Sequence, residues 1–132
     1  MLAGLSIAEA AAQDREVAIV AHRGFWNCEG GGMSKNSIAG LDQAQKNDFW
    51  GSEFDVNMTK DGKLLIFHDG AVEGKLIEAN PASAFEYYRL KNGESIPTID
   101  EFFTHALKSP ETMLVFELKK HSGKRVETKA VK

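Results

Sequence analysis

Short polar motifs carry the side chains best suited to chemistry, and each lies at or near the end of an apolar or alternating run. They are His22-Arg23, Glu53-Phe54-Asp55, His68-Asp69 and Glu117-Leu118-Lys119. Residues two apart on a strand share a face at roughly 6.6 Å spacing, so Glu53 and Asp55 can converge on one cation, with Glu117 from a neighbouring strand as a third oxygen ligand. All-oxygen ligation favours Mg²⁺ or Ca²⁺ over zinc. The motifs therefore predict a divalent metal site.

The charges around this predicted site suit a phosphodiester. Three carboxylates alone would repel a phosphate, whereas a divalent cation together with Arg23 and Lys119 brings the site with one bound diester to neutrality. Arginine forks onto phosphate oxygens, and lysine acts on them as a point charge. Histidine changes its protonation near neutral pH, so His22 and His68 are candidates for a general acid and base, a contribution of about 10²–10⁴-fold in rate.

The same residues also have structural interpretations. His22 alone would fit a core histidine, and Glu117 with Lys119 would fit a surface ion pair worth under about 1 kcal/mol. Glu53 and Asp55 would fit a solvated strand face, but carboxylates are poor strand formers. Because the polar pairs recur at strand ends, where α/β folds place their active sites, the functional interpretation is favoured.

The elements that must position these side chains alternate between strand and helix. Short apolar or alternating runs predict strands at 17–21, 52–59, 64–67 and 113–119. Helical spacing predicts a helix from Ile38 to about Asn47, and the capping box of Thr98 and Glu101 predicts another. A third, short helix is predicted to begin with Asn80 as its cap and Pro81 at its first position, carrying residues 85, 88 and 89.

The turn after the second strand leaves two hairpin registers open. If Asp61 and Gly62 form a two-residue turn, His68 lies directly across from Asp55 on the same face. A three-residue turn with a glycine bulge instead shifts His68 toward Phe54. The sequence predicts the hairpin but not which of these registers forms.

Composition excludes several classes of protein. The chain has 132 residues, 42% of them hydrophobic and 27% charged, which permits a packed core. Its 16 Lys and Arg against 19 Asp and Glu give a net charge of −3, which offers no general attraction to nucleic acid. A lone cysteine, Cys28, excludes an intramolecular disulfide and a Cys-rich zinc site. No apolar stretch approaches the roughly 20 residues that span a membrane.

The first residues fit two interpretations, a signal peptide or a leading helix. Residues 1–13 are small and apolar and end in Ala10-Ala11-Ala12, which is typical of a signal-peptide cleavage site, but a basic n-region is missing. We therefore interpret 1–15 as a signal-peptide remnant, implying a periplasmic or secreted protein, or as a leading helix of a cytoplasmic one. Residues 16–132 are predicted to form one partial domain.

Taken in order, the motifs resemble the signature of the glycerophosphodiester phosphodiesterases. They are His22-Arg23-Gly24, Glu53-Phe54-Asp55, Thr59-Lys60-Asp61-Gly62, His68-Asp69, Ile96-Pro97-Thr98 and Glu117-Leu118-Lys119. The resemblance implies an α/β fold, the N-terminal part of a (β/α)₈ TIM-type barrel. It also implies hydrolysis of small glycerophosphodiesters to glycerol 3-phosphate and an alcohol, with a divalent cation. A barrel of this kind takes about 250 residues, so this chain cannot close one alone.

The resemblance also implies a role for each site residue. Glu53, Asp55 and Glu117 would bind Mg²⁺ or Ca²⁺, His22 and His68 would be the acid/base pair, and Arg23, Lys119 and Asn36 would bind phosphate or substrate. Where the family commonly has Glu-Asn-Thr, this chain has Lys35-Asn36-Ser37, which removes a carboxylate but keeps the small polar pair.

Other interpretations follow from the short chain and the aromatic residues. A non-catalytic truncated fragment would expose strand edges and self-associate, and a third class is a module that binds phosphorylated ligands without turnover. Phe25 and Trp26 are interpreted as packing residues, with the lining of a leaving-group pocket as the alternative.

Overall fold

A computed structural model describes residues 17–121 of the chain. The strands are β1 (Val20–Ala21), β2 (Gly51–Met58), β3 (Leu64–Ile66), β4 (Ala71–Val72), β5 (Lys75–Leu76) and β6 (Met113–Leu118). The helices are α1 (Ile38–Lys46), a 3₁₀ helix (Ala82–Phe85) and α2 (Ile99–Ala106). The predictions for residues 1–15 and for the tail beyond His121 lie outside the described residues.

Strand β2 is paired along both of its edges. Strand β6 lies parallel to it from the pair Gly51–Met113 to the pair Val56–Leu118. On the remaining edge, β1 pairs parallel with the first two residues of β2, and β3 pairs antiparallel with its last three. Strands β1, β2 and β6 therefore run in the same direction, and the polar motifs lie toward their carboxyl ends.

The β2–β3 hairpin closes with the three-residue turn. The Thr59 N–H donates to the Lys63 carbonyl at 2.8 Å, Met58 pairs with Leu64, and Gly62 has the φ of 83° that favours glycine. The alternative register, with His68 directly across from Asp55, is wrong. Because β3 ends at Ile66, His68 lies beyond the ladder.

Both α-helices begin at residues whose side chains satisfy backbone N–H groups. Ser37 Oγ accepts from the Gly40 N–H at 2.9 Å at the start of α1. The predicted capping box of α2 is confirmed, because Thr98 accepts from the Glu101 N–H and Glu101 accepts from the Thr98 N–H. These caps fix where each helix begins relative to the sheet.

A short helix forms after Asn80 as predicted, but its predicted cap and length are wrong. The Asn80 side chain donates back to the Leu76 carbonyl at 2.8 Å instead of capping a helix. Pro81 has an extended ψ of 160° and precedes a single 3₁₀ turn that ends at Phe85, so residues 88 and 89 lie outside the helix. Local side-chain bonding of this kind competes with helix formation.

The main core lies between the helices and one face of β2. Phe54 is fully buried there, with its ring 4.7 Å from that of Phe102 on α2. Leu41 of α1 and Val56 of β2 pack in the same cluster. A smaller cluster around Ile77 supports the segment between β3 and α2. With one face of β2 covered by helices, its other face is left to the polar side chains.

The predicted mixed α/β class is confirmed. The described residues contain parallel strands with helices on one face and form no closed barrel. Within 17–121, no helix has the length and apolar character needed to cross a membrane.

Candidate active site

Three carboxylates from two adjacent strands converge at one point. Glu53 and Asp55 lie on β2 and Glu117 lies on β6, and each offers an oxygen within 4.8 Å of the others. The convergence follows from the sheet, because Asp55 is the register partner of Glu117 and Glu53 precedes it on the same face. Glu53 and Asp55 are buried, whereas Glu117 is exposed. A cation held by these three carboxylates would therefore be accessible to solvent on the side of Glu117.

Glu53 has one satisfied and one unsatisfied oxygen. Its Oε2 accepts from the Arg23 backbone N–H at 2.9 Å. Its Oε1 is buried and accepts no hydrogen bond from any residue in 17–121. Burial raises the pKa of Glu53, and the neighbouring charges of Asp55 and Glu117 add to the shift. A cation beside Oε1 would satisfy this oxygen and hold the carboxylate in its charged form.

Asp55 is the most heavily bonded of the three carboxylates. Its Oδ2 accepts from Asn36 Nδ2 at 2.9 Å and lies 3.4 Å from Arg23 Nε, and its Oδ1 lies 3.0 Å from Lys119 Nζ. Burial alone raises the pKa of Asp55, but the hydrogen bonds from Asn36 and Lys119 outweigh it and hold the pKa below its usual value. The fully buried group is therefore ionised.

Lys119 links the exposed and buried carboxylates. Its Nζ lies 2.9 Å from Glu117 Oε1 and 3.0 Å from Asp55 Oδ1. The hydrogen bond between Lys119 and Glu117 lowers the pKa of Glu117 and raises that of Lys119. The backbone N–H of Lys119 donates to the Val56 carbonyl at 2.9 Å, which extends the parallel ladder and fixes the side chain at the site.

The loop after β1 brings His22 and Arg23 over the carboxylates. Arg23 has a φ of 60° and Gly24 a φ of 83°, so the chain turns sharply as soon as β1 ends. His22 Nε2 lies 3.8 Å from Glu53 Oε2, and the His22 side chain is 69% exposed. This imidazole is therefore open to a ligand, which excludes the core-histidine interpretation.

His68 reaches the site from the end of the hairpin. Its Nδ1 lies 2.7 Å from Asp69 Oδ1. Asn57, the next residue on the polar face of β2, donates from Nδ2 to the carbonyls of Phe67 and Asp69 at 2.7 and 3.0 Å. Asn57 thereby clamps the segment that carries His68. We did not predict this role, although the alternation that placed Glu53 on this face also placed Asn57 there.

The donor set fits a hard divalent cation. It offers carboxylate oxygens from three residues, one of them a buried oxygen without a hydrogen bond among the described residues. The two nearby cationic side chains, Arg23 and Lys119, leave the three carboxylates with excess negative charge. A divalent cation would reverse that excess and leave the site with a net positive charge.

The structure gathers every predicted site residue into one region, in the positions described above. Asn36 was predicted to bind substrate, but in the structure both the nitrogen and the oxygen of its side-chain amide are hydrogen-bonded to Asp55. Its role toward substrate stays a prediction.

Glu94 is a further residue that sequence reasoning missed. Its two carboxylate oxygens accept from the backbone N–H groups of Ile38 and Ala39 at 2.8 and 3.1 Å, at the start of α1. The bond crosses 56 residues of sequence, so no local pattern reveals it. Glu94 holds the helix that follows Asn36 and thereby supports the site.

Comparison with known proteins places these features in a family. The model of the glycerophosphoryl diester phosphodiesterase family matches residues 22–130. Glycerophosphodiester phosphodiesterase 1 of Mus musculus is 32% identical over an alignment of 123 residues, and the match covers 80% of this chain and 35% of that protein. A glycerophosphodiester phosphodiesterase of Bacillus altitudinis is 27% identical over an alignment of 113 residues, and the match covers 76% of this chain and 44% of that protein. The chain thus spans less than half the length of these curated relatives.

Solved structures show the same likeness. A glycerophosphodiester phosphodiesterase from Parabacteroides distasonis ATCC 8503 matches with a TM-score of 0.81 and 36% identity, over 86% of this chain and 47% of that one. An Oleispira antarctica phosphodiesterase in complex with the product sn-glycerol-3-phosphate matches with a TM-score of 0.69 and 25% identity, over 91% of this chain and 51% of that one. The prediction of the N-terminal part of a TIM-type barrel is confirmed by this likeness.

Proposed function

The chain belongs to the glycerophosphoryl diester phosphodiesterase family, and we propose from this that it carries the site for metal-dependent hydrolysis of glycerophosphodiesters to glycerol 3-phosphate and an alcohol. The observation that carries the proposal is the convergence of Glu53, Asp55 and Glu117 within 4.8 Å of one another. The bound sn-glycerol-3-phosphate of the Oleispira antarctica relative supports the product assignment.

In this proposal the three carboxylates hold Mg²⁺ or Ca²⁺. When bound, the cation polarises a phosphoryl oxygen and neutralises charge that develops in the transition state. The chain's own part is to fix the ligands before binding. Asn36 and Lys119 hold Asp55, and the Arg23 N–H holds Glu53, so little reorganisation is needed when substrate arrives.

Arg23 and Lys119 bind the phosphate oxygens. The guanidinium of Arg23 lies beside Asp55, with Nε 3.4 Å from Oδ2, and the ammonium of Lys119 lies 3.0 Å from Oδ1. Both cations are therefore held at the carboxylate that faces the metal position. Fixed donors aimed at a phosphoryl group stabilise charge without reorganising water during the reaction.

His22 and His68 move the protons. Hydrolysis forms a bond from a water oxygen to phosphorus and breaks the bond from phosphorus to the alcohol oxygen, so one proton leaves the nucleophile and one reaches the alcohol. One histidine accepts the first proton and the other donates the second. Asp69, bonded to His68 Nδ1 at 2.7 Å, orients that ring and leaves Nε2 for transfer.

The test is release of glycerol 3-phosphate from a set of glycerophosphodiesters, with the full-length protein in Mg²⁺ or Ca²⁺. We expect Glu53→Gln and excess EDTA each to abolish release, because EDTA removes the cation and the substitution removes one of its three charged ligands. The exposed Glu111→Gln is the matched control and should retain wild-type rates. Release that survives both EDTA and Glu53→Gln would overturn the metal role, and binding of diester without turnover would instead favour a ligand-binding module.

A further inference from the structure

His121 is a buried histidine whose side chain bonds the backbone of the central strand. It lies three residues beyond the end of β6, and 8% of its surface is exposed. Its Nε2 lies 3.0 Å from the backbone nitrogen of Met58 on β2, which is also buried. The bond joins residues 63 positions apart in the sequence. His121 therefore holds together the two strands that carry the three carboxylates.

The imidazole of His121 takes the place of a backbone acceptor at the end of the parallel ladder. Alternate residues of a strand direct their N–H and C=O groups to the same neighbouring strand. The Val56 carbonyl accepts from the Lys119 N–H at 2.9 Å, so this edge of β2 faces β6. The next N–H on the same edge is that of Met58, and it donates to His121. The segment after β6 is therefore bonded to β2 at Lys119 and again two residues later.

The bond to Met58 requires one particular form of the histidine. A backbone N–H can only donate, so Nε2 of His121 must accept and the proton of the neutral ring must lie on Nδ1. A glutamine at this position would also offer an acceptor, through its side-chain oxygen, whereas leucine and phenylalanine offer none. Substitutions can therefore separate the hydrogen bond from the volume of the side chain.

The bond bears on the active site through Lys119. The Nζ of this residue lies 3.0 Å from Asp55 Oδ1 and 2.9 Å from Glu117 Oε1, at the end of a flexible four-carbon stem. A side chain of this length is held at one point only when the backbone that carries it is itself held. Loss of the bond from Met58 to His121 would let the chain on the carboxyl side of Lys119 move away from β2.

We propose that His121 is a positioning residue for Lys119, and that its bond to the Met58 N–H tightens binding of the phosphate group of the substrate. The imidazole acts through the backbone and takes no part in proton transfer. This role rests on the proposed function, in which Lys119 binds phosphate oxygens. The bond from Met58 to His121 rests on the geometry alone.

The test is a double-mutant cycle on the affinity for glycerol 3-phosphate, measured by calorimetry on the full-length protein in Mg²⁺. His121→Leu should weaken binding by about tenfold, because the ammonium of Lys119 is then held less firmly at the phosphate. In a Lys119→Met background the same substitution should change the affinity by less than about twofold, since the side chain through which it acts is absent. A merely structural loss would weaken binding equally in both backgrounds.

Two further substitutions of His121 and a control assign the effect to the hydrogen bond. His121→Gln should bring the affinity to within about threefold of the wild type, because it restores an acceptor. His121→Phe keeps a ring but offers no acceptor, so it should behave like His121→Leu. The control His105→Leu removes a histidine of α2 that lies 3.6 Å from Asp42, and it should leave the affinity unchanged. Thermal unfolding identifies any variant that fails to fold.

Nuclear magnetic resonance of the wild type tests the bond directly. We expect a nitrogen–nitrogen coupling across the hydrogen bond from the Met58 amide to His121 Nε2, with the ring proton on Nδ1. A ring that carries its proton on Nε2, or equal losses of affinity in the two backgrounds, would overturn the proposal.

Neither measurement requires turnover, so they separate this proposal from the proposed function. A loss of affinity that depends on Lys119, in a protein that hydrolyses no diester, supports the positioning role and overturns the enzymatic function. Hydrolysis by a protein in which the two substitutions act independently does the reverse.

Discussion

Asn36 and Asp55 are joined through both ends of one side-chain amide. Asn36 Nδ2 donates to Asp55 Oδ2 at 2.9 Å, and Asn36 Oδ1 accepts from the Asp55 backbone N–H at 3.2 Å. Asn36 has a φ of 55°, a conformation that asparagine tolerates better than most residues, and its own N–H donates to the Arg23 carbonyl at 2.9 Å. This residue therefore ties the loop after β1 to the central strand.

We expect Asn36→Ala to weaken metal binding without unfolding the protein. The variant leaves the buried Asp55 carboxylate without its neutral donor, and loss of such a supporting residue costs about 10–100-fold in metal affinity. Titration with Mn²⁺, followed by electron paramagnetic resonance, measures the change. The matched control is Asn47→Ala, which removes an exposed asparagine that bonds only within α1 and its cap. Equal affinities in both variants would contradict this role.

Two glycines with the same φ should respond differently to alanine. Gly24 and Gly62 both have a φ of 83°, so both substitutions incur about 1–2 kcal/mol of left-handed strain. A Cβ at Gly24 would lie 3.0 Å from the Gly40 carbonyl carbon, whereas a Cβ at Gly62 meets nothing within 4 Å. Gly24→Ala should therefore lower the free energy of unfolding by about 1–3 kcal/mol more than Gly62→Ala. Urea unfolding measures the two losses in the free energy of unfolding. Equal losses would contradict a steric clash at Gly24.

Glu94 should stabilise α1 from a distance. Glu94→Gln keeps the size of the side chain but removes the negative charge that faces the first N–H groups of the helix, so we expect a loss of about 0.5–2 kcal/mol in the free energy of unfolding. Glu111→Gln, an exposed site, should change stability by less than about 0.5 kcal/mol. If the two variants unfold at the same urea concentration, the carboxylate has no such role.

Asp61 should make stability depend on pH on the acid side. The Thr59 hydroxyl donates to Asp61 Oδ1 and lowers the pKa of that carboxyl below its usual 3.8. A folded-state pKa below the unfolded one gives stability that is present above the unfolded pKa and lost as pH falls through the folded value. Asp61→Asn should therefore unfold more easily than the wild type near neutral pH, and the difference should shrink in acid. Urea unfolding across this range tests it, with the exposed Asp48→Asn as control. A pH-independent difference would exclude the linkage.

The sequence predicted the features that depend on local patterns. Alternation along β2 places Glu53 and Asp55 on one face in any strand, and the spacing of Thr98 and Glu101 suffices for a capping box. The position of the site could be predicted as well, because the alternation of strands and helices indicates parallel strands, and the site residues lie toward the same ends of these strands. The prediction of Mg²⁺ or Ca²⁺ as the bound cation follows from the oxygen ligands that these residue types supply.

Features that depend on a choice between competing local bonds, or on distant parts of the chain, were not predictable. The Asn80 cap failed because its side chain found the Leu76 carbonyl, and nothing in the local sequence ranks that bond above a cap. Glu94 reaches α1 across more than fifty residues. The two possible hairpin registers differ by one loop residue, and two-residue and three-residue turns are both common.

The pairing of β2 with β6 has a consequence for the order of folding. The hairpin of β2 and β3 closes a loop of a few residues and can form within microseconds, whereas β6 must be brought back across some sixty residues of chain. We therefore expect Glu53 and Asp55 to be placed on β2 before Glu117 joins them, because Glu117 reaches the site only when β6 pairs in register. A one-residue slip would turn Phe116 or Leu118 toward the carboxylates. A cation held by all three carboxylates would therefore favour the register in which Asp55 pairs with Glu117.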